Sequence, residues 1–594
     1  MSEQYSQLYK IRHSLAHLLA MAALEKYPDA KLTIGPAIEK GFYYDIDFGS
    51  NKVGDDDLKD LQKRMKKLVG KKLPFSQIDL STQEIEELFG ENQYKMELLE
   101  GIKGKKEEPT FYKTGTGNDN SFIDLCAGGH VEDTSEIDPN AFKLTTVAGA
   151  YWRGDENNAM LTRIYGVAFE TKEDLIEHEA MMREAEKRNH RKLGTELGLF
   201  SFSPLVGGGL PLWSPKGTIF REEIDRFVQE LRTEYGYQKV TIPHIAKKDL
   251  YETSGHWNKY SEDLFKVSAK AMDVHGDDYD LYVLKPMNCP HHTQIYNSVP
   301  RSYRDLPQRY SDTTMVYRAE QSGELSGLTR VLSITQDDAH VFCRKEQLEQ
   351  ELRNIWNIVS RFYGRFNFEN MTVRLSFRDP ENSDKYIGDR DVWDWSESTI
   401  KSIAESYDMP IIEGPGEAAF YGPKLDFMAS DSIGRTHQVA TIQLDPNLPE
   451  RFDLTCVNEE GVQERIFMVH AAIAGSLERF GAVLLEHTAG AFPFRFAPVQ
   501  VSVIPVNTEV HGTRAREVFS ELKASGIRAE YAAENKDGMG KQVRTAKKQK
   551  YPYWIIIGDA DIEAGKVTLE SRDTGTNEQL TIEEVVEKLE EENK

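Results

Sequence analysis

Hydrophobic positions in HSLAHLLAMAALEKY recur near helical spacing at Leu15, Leu18, Leu19 and Ala22. That spacing predicts an amphipathic helix. GFYYDIDF, starting at Gly41, is rich in aromatic and branched residues and predicts a strand. Residues 169–193 are strongly charged with a helical pattern and read as a connector helix. A glycine-rich stretch, Val206 to Gly217, predicts a loop that opens the next domain. From 200 to 493, long helical patterns alternate with β-rich runs such as YVLKPM and TTMVYRAE, which favours an α+β sheet domain. After Pro498 the order is strand (VQVSVIPV), helix capped by Gly526, strand, helix, strand (YWIIIGD). That alternation predicts a small α/β domain of parallel type. No internal repeat or low-complexity segment interrupts the pattern.

The bulk numbers add limits. A chain of 594 residues makes roughly three to five domains with ample core. No run of apolar residues is long enough to span a membrane. MSEQYSQLYK lacks a charged-then-apolar leader, so no secretory signal is expected and the expected compartment is the cytoplasm. Four cysteines do not make a disulfide scaffold in so long a chain, and they fit a reducing compartment. The net charge of −24 argues against non-specific coating of nucleic acid. Two local basic runs remain, Lys59–Lys72 and Lys536–Lys550. The first reads equally as a solvated helix face. The second lies in a compact terminal α/β domain, where a cation cluster suits RNA contact.

Several residues could carry chemistry. Cys289 precedes Pro-His-His, which invites a metal site with His291 and His292; a buried cysteine beside surface histidines is the alternative. His13-x3-His17 shares one helix face, and Cys126-x3-His130 supplies a second pair. Spacing alone makes these four a fair zinc site against a packed-core alternative. Arg318 and Glu320 close an apparent strand, with Arg330 beyond a polar loop. Arg479 opens a helix behind a small residue. Arginine is planar and always charged, so it clamps phosphates through paired hydrogen bonds.

KPMNCPHH, YRAEQSGELSGLTRV, TQDDAH, FYGPKLDF, TIQLDPNLPERF and VHAAIAGSLERF occur in that order. Together they closely resemble threonyl-tRNA synthetases, from about Arg12 to the C-terminus. The resemblance implies an α+β multidomain fold. Residues 1–168 would be an editing domain of the type shared with alanyl enzymes, and 169–193 a connector. Residues 194–495 would be a class II core built on an antiparallel sheet, and 496–594 an α/β anticodon-binding domain. The chain resembles the type without the extra small N-terminal domain found in many bacterial members. The stretch ending at Pro243 looks like motif 1, implying a homodimer.

The same resemblance implies roles. Arg318, Arg330 and Arg479 would clamp ATP with Mg²⁺, and Glu320 would meet the adenine amine. Zinc, one per subunit, would sit on Cys289, His340 and His470, residues that no spacing rule joins. L-threonine's amine and hydroxyl would complete its coordination, with Asp338 accepting a hydrogen bond. Met287, Gln336, Tyr421, Gln438 and Ser476 match pocket positions. Lys424 and His256 match positions near the terminal ribose of tRNA(Thr). Valine lacks the hydroxyl and is rejected; serine differs by one methyl, worth about 1–3 kcal/mol, so a second site is needed. The resemblance assigns His13, His17, Lys95, Asp124, Cys126 and His130 to hydrolysis of seryl-tRNA, without metal. Asn535, Arg544 and Lys550 fall near anticodon-contacting positions. The chain departs from the family pattern at His291, Leu332, Val439, Ala440, Ala471 and Glu570, and in DLCAGGH, where DLCRGPH is frequent. None removes an assigned ligand or clamp. A non-catalytic RNA-binding paralogue, the alternative, would be expected to lose one.

Overall fold

A computed structural model describes residues 5–593, except 117–120, 156, 271–278, 369–370, 432–433 and 536. It forms two compact units, residues 1–183 and 184–594. Among the described residues no helix is long and apolar enough to cross a membrane.

In the first unit, helix α1 (Gln7–Lys26) starts at Ser6, whose hydroxyl accepts from Tyr9 N. The amphipathic expectation is corrected here. Twelve of its residues are buried, Arg12, His13 and His17 among them, because sheet, helix and loop all pack on it. Strand β1 (Gly41–Asp47) forms as predicted. Helix α2 (Leu58–Val69) carries the first basic run; it buries Leu61, Met65 and Leu68, and its Arg64 is paired with Asp60 and Glu25. The run is therefore the solvated face of a packed helix. Helix α3 (Gln93–Gly104) is capped by Asn92. Strands β2 (Phe111–Thr114) and β3 (Phe122–Leu125) belong to a three-stranded antiparallel sheet. The long hairpin β4 (Phe142–Tyr151) and β5 (Met160–Ala168) pairs with β1 in another. The charged stretch 170–193 is not one helix. It breaks between Lys187 and His190, where Asn189 turns to cap the helix His190–Glu196.

In the second unit, helix α4 (Pro215–Glu234) leads to an edge strand, Gln238–Lys239. Next come helix α5 (Cys289–Asn297), strands β6 (Gln308–Tyr317) and β7 (Ser333–Cys343), and helix α6 (Leu348–Gly364). Strands β8 (Thr372–Phe377), β9 (Ile411–Pro415), β10 (Lys424–Ser430), β11 (Thr436–Asp445) and β12 (Phe467–Ser476) follow, then helix α7 (Leu477–His487). One eight-stranded sheet results, ordered edge strand, β6, β7, β12, β11, β10, β8, β9, and antiparallel except at its two ends. Side chains alternate faces along each strand. Ala339 and Val341 of β7 therefore join Leu352, Ile355 and Val359 of α6 in the core, while Asp338 and His340 point the other way. A bidentate pair between Arg309 and Glu351 (2.6 and 2.7 Å) ties β6 to α6.

The C-terminal part has strands β13 (Val501–Pro505), β14 (Ala529–Tyr531), β15 (Tyr553–Ile557), β16 (Val567–Ser571) and β17 (Asn577–Leu580). Only β14, β13 and β15 are parallel; β16 and β17 add antiparallel strands. The predicted parallel unit thus carries a hairpin that its helix-strand alternation did not announce.

Trp356 of α6 is 1% exposed and stacks on Tyr407 (ring centroids 4.3 Å). Trp356→Ala is expected to destabilise the second unit by about 3–5 kcal/mol, read as a lower urea midpoint. Leu205, 99% exposed, should tolerate change to serine within about 0.5 kcal/mol.

Candidate active sites

The central strands assemble the first site. On β7, Gln336, Asp338 and His340 follow at intervals of two and share one face. His340 stands directly opposite His470 on β12, and His470 opposite Gln443 on β11. Helix α5 begins at Cys289 and brings its thiol to this face. The ligand atoms of Cys289, His340 and His470 lie within 4.8 Å of one another, all buried. His340 Nε2 and His470 Nδ1 face each other at 3.0 Å. The outer nitrogens are engaged: His470 Nε2 with Asp445 Oδ2 at 2.8 Å, His340 Nδ1 with His292 Nδ1 at 2.8 Å. One sulfur and two imidazole nitrogens, one imidazole backed by a carboxylate, form a donor set suited to a metal such as zinc. Burial pushes the Cys289 thiol well up and holds His340 well below its usual range, so both are neutral until a cation arrives. The local CPHH reading is corrected. His291 is outside the donor group, and His292 stands behind His340.

These groups line a cavity of about 330 Å³. Met287, Gln336, Asp338, Tyr421, Gln438 and Ser476 line it with them. Arg318, Lys424 and Arg479 supply cations to the same cavity. Asp338, whose carboxyl burial raises, accepts from Asn288 Nδ2 (3.0 Å) and lies 3.7 Å from His340 Nε2. Tyr421 packs its ring 5.3 Å from that of His470. Asp426 gathers Lys424 (3.1 Å), Gln438 (2.8 Å) and Arg374 (3.1 Å) at one carboxylate. His256 is buried behind Met287, with Nε2 3.0 Å from the sulfur; burial first, then the field of His470 and Arg318, lowers it to about 3. Arg318 follows the last residue of β6, as the sequence placed it. Arg479 is the third residue of α7; Ser476 caps that helix by accepting Arg479 N at 3.1 Å. Glu320 and Arg330 lie outside the cavity lining, paired with each other at 2.7 Å.

Strand β12 bulges opposite Gln336–Asp338. Asp337, facing away from the cavity, accepts Ile473 N (2.9 Å) and Ala474 N (3.1 Å) from that bulge. Arg232 of α4 donates to Asp337 O and Ala471 O (2.8 and 3.2 Å). Burial drives the Asp337 carboxyl up to about 7, against the pull of Arg232.

The first unit holds the second site. His13 and His17 of α1 meet Cys126 and His130 from the loop after β3, with ligand atoms again within 4.8 Å. Cys126 Sγ is 3.3 Å from His130 Nε2. His13 Nδ1 donates to Gly128 O (2.8 Å), leaving Nε2 toward the cluster. Beneath it, Lys95 of α3 pairs with Asp124 of β3, both buried, and Tyr44 donates to the same carboxylate. Burial lowers His13, His17 and His130 and raises Cys126 to about 12, so the whole cluster is neutral. Gly129 adopts φ +83, a conformation closed to proline, so DLCAGGH turns in a way DLCRGPH could not. Sequence reasoning missed Tyr44, Asp426 and Asp445. The last lies within TIQLDPNLPERF, but only the sheet register brings it to His470.

In the C-terminal part, Arg544 is exposed on helix Met539–Lys548, and Lys550 is half-buried just beyond it at φ +55. The side chain of Asn535, like Lys536 of the basic run, lies outside the described residues. Glu570 pairs with Lys547 at 3.4 Å.

Three family descriptions match the chain: "Threonyl and Alanyl tRNA synthetase second additional domain" at residues 110–165, "tRNA synthetase class II core domain (G, H, P, S and T)" at 265–488, and "Anticodon binding domain" at 500–592. A protein of Synechococcus elongatus named threonine–tRNA ligase is 46% identical over 99% of this chain and 96% of its own. One of Staphylococcus aureus with the same name is 43% identical over 96% and 86%. The solved RNA-binding domain of threonyl-tRNA synthetase from Cryptosporidium parvum superimposes with a TM-score of 0.62 at 35% identity, covering 68% of this chain and 98% of that one. A putative threonyl-tRNA synthetase from Aeropyrum pernix gives 0.58 at 28%, covering 68% and 96%. The chain belongs to the threonine–tRNA ligase family, the threonyl-tRNA synthetases of class II.

Proposed function

We propose that this chain activates L-threonine with ATP, transfers it to tRNA(Thr), and hydrolyses seryl-tRNA(Thr) at its second site. The observation that carries the reading is the cavity in which Cys289, His340, His470 and Asp338 meet the guanidinium groups of Arg318 and Arg479. Residues 1–168 form the editing domain, 169–193 the connector, 194–495 the catalytic domain and 496–594 the anticodon-binding domain, where Asn535, Arg544 and Lys550 face tRNA. The protein acts in the cytoplasm as a homodimer formed through motif 1.

Cys289, His340 and His470 would hold zinc; three protein ligands leave coordination open to an amine and a hydroxyl, which valine cannot fill. Asp338 accepts a hydrogen bond from the bound threonine. Met287, Tyr421, Gln438 and Ser476 close around the amino acid. Arg318 clamps the α-phosphate and Arg479 the γ-phosphate, while Arg330 adds charge to phosphates that enter with Mg²⁺. Glu320 meets the adenine amine once ATP draws Arg330 toward phosphate. These fixed cations stabilise the charge that grows as the threonine carboxylate attacks the α-phosphorus in line. Gln336 orients the reacting carboxylate. His256 and Lys424 stand near the terminal ribose, whose hydroxyl then takes the threonyl group. In the second site, Lys95 and Asp124 brace the neutral histidines and Cys126, which orient water on the seryl ester. That water need not compete with protonated imidazole, since burial keeps each ring neutral, with one nitrogen free of a proton.

ATP–pyrophosphate exchange should run with threonine, weakly with serine and not with valine. Cys289→Ala should lower threonine-dependent exchange by at least about 100-fold, the scale of losing a positioned substrate contact. Exchange that survives this change would sink metal-based recognition. Metal analysis is expected to find about one zinc per chain, lost in Cys289→Ala and kept in Cys126→Ala. Purified protein should deacylate seryl-tRNA(Thr), with Lys95→Ala abolishing this and sparing threonylation. Its rate should show no inflection near pH 6.5, because the lowered histidines stay neutral there; a fall with that midpoint would contradict the role given to them.

A further inference from the structure

The loop Ser326–Arg330 closes on itself. Ser326 N donates to Arg330 O (3.1 Å), and Thr329 N and Arg330 N donate to Ser326 O (2.9 and 3.3 Å). Gly327 turns it at φ +51, where a Cβ would lie 2.2 Å from His190 Nε2. The turn thus fits against that imidazole only as glycine.

Side chains from two elements hold the loop. From α7, Arg479 Nε donates to Thr329 O at 3.0 Å. From the helix His190–Glu196, Arg191 Nη2 donates to Ser326 Oγ at 3.3 Å. Leu328 N donates to His190 Nε2 at 3.1 Å, in a buried setting. A ring nitrogen that accepts carries no proton, so Nδ1 must carry it. His190 Nδ1 lies 2.7 Å from Glu486 Oε1, which also accepts His190 N at 2.9 Å. Glu486 is on α7, seven residues after Arg479, or about 10 Å along the helix. The loop is therefore fastened to one helix twice: directly through Arg479, and through His190 by way of Glu486.

We propose that His190 is a positioning residue for ATP binding. It touches no substrate. It sets where the loop lies, and so where Arg330 leaves it and where Arg479 is tethered. Without an acceptor at Nε2, the buried Leu328 N–H has no partner and the loop must shift to find one. This inference rests on the reading of Arg330 and Arg479 as ATP clamps.

The test uses the full chain in ATP–pyrophosphate exchange, with ATP and threonine varied separately. His190→Asn keeps an amide at the Nδ1 position for Glu486 but cannot reach Leu328 N. His190→Gln extends an acceptor to Leu328 N. The Asn variant is expected to raise KM for ATP about 10-fold or more, as small misplacements of a positioned group do, with KM for threonine within about twofold. The Gln variant should recover most of that loss, at a melting temperature equal to that of the Asn variant. An unchanged KM for ATP in His190→Asn, or equal loss in both variants, overturns the inference. Arg479→Ala with an unaltered KM for ATP would overturn the clamp reading itself, and this inference with it.

Discussion

Everything at the active site depends on the register of three antiparallel strands, β7, β12 and β11. His340 faces His470, and His470 faces Gln443, because those residues share one rung. A slip of one residue would send every side chain to the opposite face. Asp338, His340 and His470 would then enter the core beside α6, and Val341 and Val469 would line the cavity. The opposite face guards against that slip. Asp337 binds the bulge in β12, and Arg232 binds Asp337 and β12 together from α4. Both are fully buried, so neither can be satisfied by water in a shifted register. The pair stabilises one alignment chiefly by making the others costly.

That alignment also gives the cavity both acids and cations. Cys289, Asp338 and the two histidines meet in it. Arg318 and Arg479 enter the same cavity, where burial first and then the field of Arg318 hold Arg479 below its ordinary range. Two guanidinium groups held together without a full complement of carboxylates repel, and an anion between them relieves that repulsion. The end of β6 and the capped start of α7 place the backbones that carry them, and Arg479 is held further by Thr329 O, which lowers the ordering left for the moment of binding.

What could be read from the sequence was local. His13 and His17 share a helix face because four residues make about one turn, and Ser476 caps α7 three residues before the N–H it accepts. The order of short motifs gave the family, and with it Cys289, His340 and His470. Periodicity could not have given them, because their meeting depends on pairing between strands some 130 residues apart in sequence. The same limit hid Asp445, Tyr44 and His190, each defined by a partner far along the chain. CPHH pointed to the wrong histidines for a local reason: His291 is outside the donor group, and His292, one turn after Cys289, reaches only the outer nitrogen of His340. The long charged connector read as one helix because Asn189, a cap, scores as an ordinary polar residue in a polar stretch.

The two donor groups look alike on paper, yet their carboxylates are engaged differently. In the central group a buried carboxylate, Asp445, backs His470, and Asp338 stands 3.7 Å from His340. Both favour a cation among the donors. In the N-terminal group the nearest carboxylate, Asp124, is already committed to Lys95 and Tyr44. His13 rests on a backbone carbonyl and His130 on the hydroxyl of Ser14, so neither bonds a carboxylate directly, while Asp124 Oδ2 stands 4.0 Å from His17 Nε2. Burial first, then His13 and the buried ammonium of Lys95, lowers the affinity of His17 for a proton. The first arrangement offers a carboxylate-backed imidazole to a cation; the second keeps its imidazoles neutral and free to bond water. That difference is the one the proposed division of labour needs: a metal-assisted site for selecting the amino acid, and a side-chain site for hydrolysing the ester.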